Sequence, residues 1–402
     1  MSAKRNSIIA IIGQFFVILL VLYLTPKAIS IVDKSNWFHY ATGISLIYLS
    51  NSFSFGISPK IVRAISRREK IDLVFKKNIC LILLIMVIST FVSLCFYLMV
   101  AVRYSEEVRM FYLFVIFAFI INFLSIFFRS FLEGKLDWTY VTLFKSFYSI
   151  SFFLIPILIL KSELNIYGLL IFIFSLLNCL FYSLRLFIKY KFDFSWNLRS
   201  PIGKEVYELI PLGLFTIINA IYLFGFRFLV ALVSENSMIS AYTDFVIYED
   251  LFGRQSMVFG SISLVLFPYL VKTKKDLEVI RNKIMISFLG ILILSILFAI
   301  FGLYWFLNIW LQESFDKQTF IIASVLLPGY TLSTFSIFFI RFFQAKSKEW
   351  IPIKVLLIST VYYLISCALV IFYELNLVYL SFTVVSKGVF DIFFFYRFMK
   401  NE

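Results

Sequence analysis

The sequence predicts an all-α polytopic membrane protein of about twelve transmembrane helices arranged as two six-helix bundles. Hydrophobic residues make up 61% of its 402 positions and charged residues only 15%. Soluble domains are about 45–50% apolar and about 25% charged. A soluble core could not bury this excess, so we exclude a soluble enzyme, a disordered chain and a disulfide scaffold. Two further observations support the class: apolar segments of membrane-spanning length, and a one-sided distribution of basic residues between them.

Each predicted span is an apolar segment long enough to cross a bilayer, which takes about 20 helical residues. The connections average roughly ten residues, too few for a soluble domain of useful size. We predict an N-terminal bundle over residues 1–190, a cytoplasmic connector over 191–208 and a C-terminal bundle over 209–402. The predicted spans are 8–32, 37–58, 79–102, 110–132, 139–160, 166–188, 209–233, 240–271, 284–311, 319–344, 351–373 and 377–398.

The basic residues between the spans predict the orientation. With a cytoplasmic N-terminus, the inner segments carry 22 Lys and Arg residues and the outer loops carry five. This bias follows the positive-inside rule, so both termini are predicted to be cytoplasmic. The first span is too long for a cleaved signal peptide. The net charge of +14 therefore reflects topology and attraction to anionic lipid, and it gives no indication of nucleic-acid binding.

A weak internal repeat relates the two predicted bundles. Arg129, Phe131, Asp137 and Trp138 recur as Arg, Phe, Glu and Trp 212 residues later, in 341–350. Six spans per half give both halves the same orientation, so an axis along the membrane normal would relate them. Transporters built in this way bind substrate between the halves and rock them for alternating access.

Cysteine and histidine give no indication of a metal, redox or catalytic centre. Cys80, Cys95, Cys179 and Cys367 lie inside apolar segments without a ligand motif, which is typical of packing residues. The single histidine, His39, opens the second span, and we interpret it as structural. We therefore expect no catalytic residue, no metal and no cofactor.

Basic residues inside the spans are the candidate functional residues, because each costs about 2.5–3.5 kcal/mol at mid-bilayer. Those within about a turn of the cytoplasmic face, such as Arg185 and Lys354, are explained by snorkelling. The other bases suit phosphate oxygens, with Arg offering two parallel hydrogen bonds. The candidate contacts for a pyrophosphate–sugar headgroup are Lys27, Arg129, Lys145, Arg227, Arg254 and Lys387.

Two acids accompany these bases one helical turn away. Asp250 precedes Arg254, and Asp391 follows Lys387, each at i,i+4 spacing. The pairs could therefore neutralise themselves and serve only to hold helices together. Alternatively, the carboxylates could couple transport to an ion, because desolvation raises their proton affinity.

Short motifs give the chain a resemblance to Wzx-type O-antigen flippases. The motifs are Leu22-Tyr-Leu-Thr-Pro26-Lys27, Phe55-Gly-Ile-Ser-Pro59-Lys-Ile-Val-Arg63, Tyr242 and Leu266-Phe-Pro268-Tyr-Leu. These flippases form part of the polysaccharide-transporter branch of the multidrug/oligosaccharidyl-lipid/polysaccharide exporter superfamily. The second motif resembles the turn that precedes a basic helix in the family. Many relatives carry an Asp-Arg pair late in the seventh span. Phe226-Arg227 stands there in this chain, so Arg227 is expected to lack a local acid.

The resemblance implies a V-shaped, MATE-like fold with a cationic central cavity. It implies a flippase that moves an undecaprenyl-pyrophosphate-linked oligosaccharide across the bacterial inner membrane. The polyprenyl tail would stay in lipid while the headgroup crosses. Association with the polysaccharide polymerase and chain-length machinery is also implied.

Two other classes remain open on the sequence. A polytopic O-antigen polymerase or glycosyltransferase would need an outer catalytic platform, but the longest outer loop has about seven residues and no D-x-D motif occurs. A multidrug exporter of the same superfamily would often carry cations, which a lining rich in Lys and Arg would repel.

Overall fold

The computed structural model confirms the all-α class. It describes residues 3–32, 34–54, 56–66, 69–159, 163–191, 202–233, 236–253, 277–312, 315, 320–345, 348 and 350–400, which contain fourteen helices and no strand. The chain forms two compact units, the first over Met1–Ala220 and the second over Ile221–Glu402.

The first unit contains seven complete helices and the beginning of an eighth. Helix α8 begins at Ile202, inside the predicted connector, and the boundary between the units lies within it. The helices are α1 Ala3–Ile31, α2 Lys34–Phe53, α3 Ile57–Ser66, α4 Ile71–Ala101, α5 Glu106–Gly134, α6 Trp138–Leu158, α7 Leu164–Tyr190 and α8 Ile202–Val233.

Helix α5 is the centre of the first unit, where it packs on α2, α3, α4 and most extensively on α7. Small residues allow this close packing. A Cβ on Gly168 of α7 would lie 3.0 Å from the carbonyl oxygen of Phe111 on α5. Polar side chains add hydrogen bonds across helices, since Asn178 Nδ2 donates to Ser125 Oγ at 2.8 Å. Close backbones and neutral polar contacts are how helices associate in membranes.

The second predicted span ends earlier than expected. Helix α2 ends at Phe53, and Gly56 follows with a φ of 76°, a left-handed conformation that glycine adopts without strain. The short helix α3 then buries Ile57, Ile61 and Ile65 on one face. The prediction of one span over 37–58 is therefore wrong at its end, whereas the turn before a basic helix that the resemblance implied is present.

The second unit repeats the packing order of the first. Its central helix, α12, packs most extensively on α14 and also contacts α9, α10 and α13. The pair α12 and α14 thus corresponds to α5 and α7, as the internal repeat predicts. After the second part of α8, the helices are α9 Asn236–Gly253, α10 Leu277–Phe301, α11 Leu303–Leu311, α12 Phe320–Ala345, α13 Trp350–Phe372 and α14 Leu377–Lys400.

The ninth predicted span is broken in two. Helices α10 and α11 meet at Gly302 with a bend of 64°, so the span predicted over 284–311 is a bent pair of helices. Glycine is a poor helix former, which explains why the break falls there. Most large side chains of α10 are exposed, including Ile293 and Leu294.

Helix length and hydropathy identify a multi-pass membrane protein. In the described part of the chain, eight helices are long and apolar enough to cross a membrane, and α10 with α11 makes nine if counted as one broken span. About twelve spans were predicted. The difference includes α1, in which the described side chains cover only the shorter apolar stretch Phe15–Ile31, and the eighth predicted span, whose second half lies outside the described residues.

Candidate functional site

A buried charge cluster surrounds Arg227 in the second unit. Arg227 Nε donates to Glu249 Oε2 at 2.9 Å, and Arg227 Nη2 donates to Asp250 Oδ1 at 2.6 Å. Tyr330 Oη donates to the other oxygen of Glu249 at 3.0 Å. The Glu249 carboxylate of α9 therefore joins α8, through Arg227, to α12, through Tyr330. Charge-assisted bonds of this length are strong, and breaking one leaves an uncompensated charge in a dry interior.

This cluster corrects the expectation that Arg227 lacks an acid. Its partners come from the next helix in the chain, where Glu249 is almost fully buried. Sequence reasoning missed Glu249 as a site residue, although an acid inside a predicted span was a signal. Arg254, the predicted partner of Asp250, lies outside the described residues.

A second buried ion pair lies on α14. Lys387 Nζ donates to Asp391 Oδ2 at 2.5 Å, at the i,i+4 spacing that the sequence predicted. The Lys387 ammonium also lies over the ring of Tyr222, 3.6 Å from its centroid. Both charged side chains are buried. A cation over an aromatic face is stabilised by the ring quadrupole.

Tyr222 connects this pair to helices α12 and α13. Its hydroxyl donates to Ser333 Oγ at 3.0 Å, and its ring meets that of Tyr363 edge-on at 5.2 Å. Tyr222 lies five residues before Arg227 on α8, so one helix contacts both charged groups. Together the two groups contain three carboxylates and two bases, so the described ion-paired side chains of this unit have one more acid than base.

The first unit places its candidate base Lys27 on an exposed face of α1. Lys27 Nζ donates to Tyr23 Oη at 2.7 Å and lies 4.2 Å from the centroid of the Tyr23 ring. Within the residues that the structure describes, Lys27 forms no ion pair. Its positive charge is therefore held by a neutral side chain.

The bases Arg129 and Lys145 lie in the cytoplasmic part of the first unit under the predicted orientation. Arg129 Nε lies 3.3 Å from Glu133 Oε1, one turn later on α5. Lys145 is exposed on α6 and lies within electrostatic range of both. No ion pair of Lys145 occurs among the described residues. These three described side chains are therefore two bases and one acid.

Asp137, between α5 and α6, binds the end of α7. Its Oδ2 accepts hydrogen bonds from Lys189 Nζ at 2.9 Å, Arg185 Nε at 3.0 Å and Tyr190 Oη at 3.3 Å. Burial alone would raise the pKa of Asp137, but the bonds from Lys189 and Arg185 outweigh it and hold that pKa below its usual range. Arg185, for which snorkelling was predicted, is thus paired.

The arrangement gives the two units different chemistry. The first unit presents exposed bases on α1 and α6, and the second encloses acids and bases that neutralise one another. In the described residues, no group of three or more His, Cys, Asp and Glu side chains could hold a metal ion. The exposed bases could bind an anion. In the enclosed network, protonation of a carboxylate would release the base that it pairs with.

Comparison with known proteins identifies the fold. No protein-family model matches the sequence, and no curated protein is significantly similar to it. The solved structure of lipid II flippase MurJ in an inward closed conformation matches 98% of this chain and 87% of its own, with a TM-score of 0.71 and 16% identity.

Two MATE structures match over similar lengths. One, MATE in the bent conformation, matches with a TM-score of 0.61 and 17% identity over 98% of this chain and 93% of its own. Another, the outward-facing conformation of a multidrug resistance MATE family transporter of the MOP superfamily, has a TM-score of 0.60 and 18% identity over the same shares. The chain is therefore a polytopic membrane protein with the helical fold that MATE transporters share with MurJ.

Proposed function

We propose that this chain is a flippase for an undecaprenyl-pyrophosphate-linked oligosaccharide repeat unit, of O-antigen or a similar surface polysaccharide. It would move the headgroup from the inner to the outer leaflet of the bacterial inner membrane by alternating access. Both termini would be cytoplasmic. The fold shared with lipid II flippase MurJ supports a transporter of this type rather than an enzyme.

The observation that carries the proposal is the pair of exposed bases on α1 and α6. Lys27 and Lys145 lie inside predicted spans, and no ion pair satisfies either of them among the described residues. A charge at that depth is costly unless water or an anion meets it. Pyrophosphate supplies such an anion, and its sugars need the same wet path. The polyprenyl tail needs no path, since it remains in lipid.

The remaining candidates take two roles in this proposal. Arg129 extends the basic region around Lys145, and Arg254 remains a predicted headgroup contact. Arg227 and Lys387 are held by Asp250 and Asp391, so their release to a headgroup would require the acids to be neutralised first. That exchange would couple transport to a cation. No cofactor is needed, and the polymerase and chain-length machinery would take up the product.

A second candidate is an exporter of cationic compounds. The one surplus carboxylate among the described ion-paired side chains of the second unit favours it, because a net negative charge attracts cations. The exposed bases of the first unit oppose it, because they would repel the same compounds.

Mass spectrometry of polyprenyl-linked saccharides in cells lacking the protein tests the proposal. We expect complete, unpolymerised repeat units that an impermeant glycosidase cannot reach from outside the inner membrane. Restoring the Lys27→Ala/Lys145→Ala variant should leave them trapped. The matched control Lys354→Ala removes an exposed base one turn inside α13 and should restore export.

Two outcomes would contradict the flippase. A truncated saccharide, or complete units that the glycosidase already reaches, would indicate an enzyme. Normal saccharides together with increased retention of a fluorescent organic cation would indicate the exporter.

A further inference from the structure

The position of Lys27 along α1 poses a physical problem. Helix α1 ends at Ile31, four positions after Lys27, so the Lys27 Cα lies about 6 Å of helix rise from the outer end under the predicted orientation. A lysine side chain is long enough to extend over that distance. A free lysine would therefore snorkel to the outer headgroups, where its charge is solvated.

Tyr23 opposes that movement. It lies one turn before Lys27 on the same exposed face, with 61% of its surface exposed. The ammonium donates to its hydroxyl at 2.7 Å and also lies 4.2 Å from its ring centroid. Side chains on a helix lean toward its N-terminus, so the contact directs the charge inward.

Neighbouring polar groups on α1 do not compete for the ammonium. Thr25 Oγ1 donates to the Val21 carbonyl at 2.7 Å, and Ser30 Oγ donates to the carbonyl of Lys27 itself at 2.9 Å. Both hydroxyls thus donate to backbone carbonyl oxygens of α1 and not to another side chain. In the described residues, Tyr23 is the side chain that contacts the Lys27 ammonium.

The neutral character of Tyr23 matters as much as its position. Asp391 holds Lys387 in place but also cancels its charge. A phenol holds Lys27 by a hydrogen bond and a ring face, and the full positive charge remains available to an anion. We infer that Tyr23 is a positioning residue that keeps the Lys27 ammonium inside the membrane for the pyrophosphate group. This inference rests on the proposed function.

Amine labelling tests the positioning without any substrate. Intact cells would be treated from outside with a membrane-impermeant amine reagent, and modification of Lys27 would be measured by peptide mass spectrometry. Tyr23→Leu removes both contacts, and we expect about fivefold or more labelling because the amine reaches the outer surface. Tyr23→Phe keeps the ring and should give an intermediate increase.

Phe16→Leu is the matched control, since Phe16 is another exposed aromatic residue of α1. Its Lys27 labelling should equal that of the unmodified chain. Equal labelling of Lys27 in the Tyr23→Leu chain would overturn the positioning role, whatever the protein transports.

Transport in proteoliposomes then separates the two proposals. With a polyprenyl-pyrophosphate-linked oligosaccharide as the probe, Tyr23→Leu should raise the half-saturating concentration about fivefold with the maximal rate nearly retained. Tyr23→Phe should recover part of that loss. Increased labelling without any transport of this probe by the unmodified chain would support the positioning of Lys27 and reject the proposed function. Transport unchanged by Tyr23→Leu would reject the role of Tyr23 toward the headgroup.

Discussion

Arg227 and Lys27 are two intramembrane bases with opposite surroundings. Arg227 is 2% exposed and contacts two carboxylates, whereas Lys27 is exposed and contacts a phenol. The first base serves the packing of three helices, and its release would require a change in the charge of its partners. The second retains its charge for a ligand. A basic side chain inside the membrane therefore has a different role when carboxylates hold it than when a neutral phenol holds it.

Replacing Arg227 tests the buried cluster. Arg227→Ala should lower the free energy of unfolding by about 3–5 kcal/mol, because it leaves Glu249 and Asp250 without their counter-charge. Arg227→Lys should be intermediate, since one ammonium cannot match the two-sided guanidinium geometry. Thermal unfolding of the purified protein, followed by size-exclusion chromatography, measures the effect.

The triple variant Arg227→Ala/Glu249→Gln/Asp250→Asn is the control, because it removes the charges together. It should recover most of the lost stability. An Arg227→Ala chain as stable as the unmodified one would show that the cluster does not hold α8, α9 and α12 together.

The sequence predicted local pairs of residues but not distant ones. Lys387 and Asp391 share one helix, so their i,i+4 spacing alone placed them in contact. Arg227 and Glu249 lie 22 residues apart on different helices, and their contact depends on helix rotation and packing that no local pattern encodes. The bond between Arg185 and Asp137 was missed for the same reason.

At the scale of the element, glycine determines where helices approach and where they break. Gly168 lies at the crossing of α5 and α7, whereas Gly56 and Gly302 lie at chain breaks. The apolar segments predicted most helices, since hydropathy follows the membrane closely. The end of α2 and the break after α10 were not predicted, because hydropathy averaged over a span-length segment does not resolve a local break at a single glycine.

Gly168→Ala tests the crossing of α5 and α7. The added methyl group would lie 3.0–3.1 Å from backbone atoms of Phe111, which cannot move aside cheaply. We expect a loss of about 1–3 kcal/mol in the free energy of unfolding. Gly290→Ala is the matched control on α10, where nothing lies within 4 Å, and it should be neutral or slightly stabilising. Equal stability of the two variants would contradict the close crossing.

At the scale of the whole molecule, the two units share one packing order but differ in charge. The pairs α5 with α7 and α12 with α14 are their respective cores. The sequence repeat predicted this similarity from a few aligned residues. The difference in charge became visible only through side-chain contacts, because the sequence places intramembrane charges in both halves.

The predicted orientation is testable at single sites. Val102 directly follows α4, at the predicted outer end of that helix, and Lys70 lies in the predicted inner connection before α4; both are exposed. In a chain whose four cysteines are replaced by alanine, Val102→Cys should react with an impermeant maleimide on intact cells. Lys70→Cys should react only after permeabilisation. The reverse pattern would mean that the termini are extracellular.

The separation between Arg227 and its acids has a consequence for biogenesis. An arginine in a helix that enters the bilayer alone costs about 2.5–3.5 kcal/mol on insertion scales. Its counter-charges on α9 leave the ribosome 22 and 23 residues later. We therefore expect α8 and α9 to enter the bilayer together as a hairpin, because the acids of α9 then neutralise Arg227. Helix α14 carries both Lys387 and Asp391, so its ion pair can form before the helix meets any other.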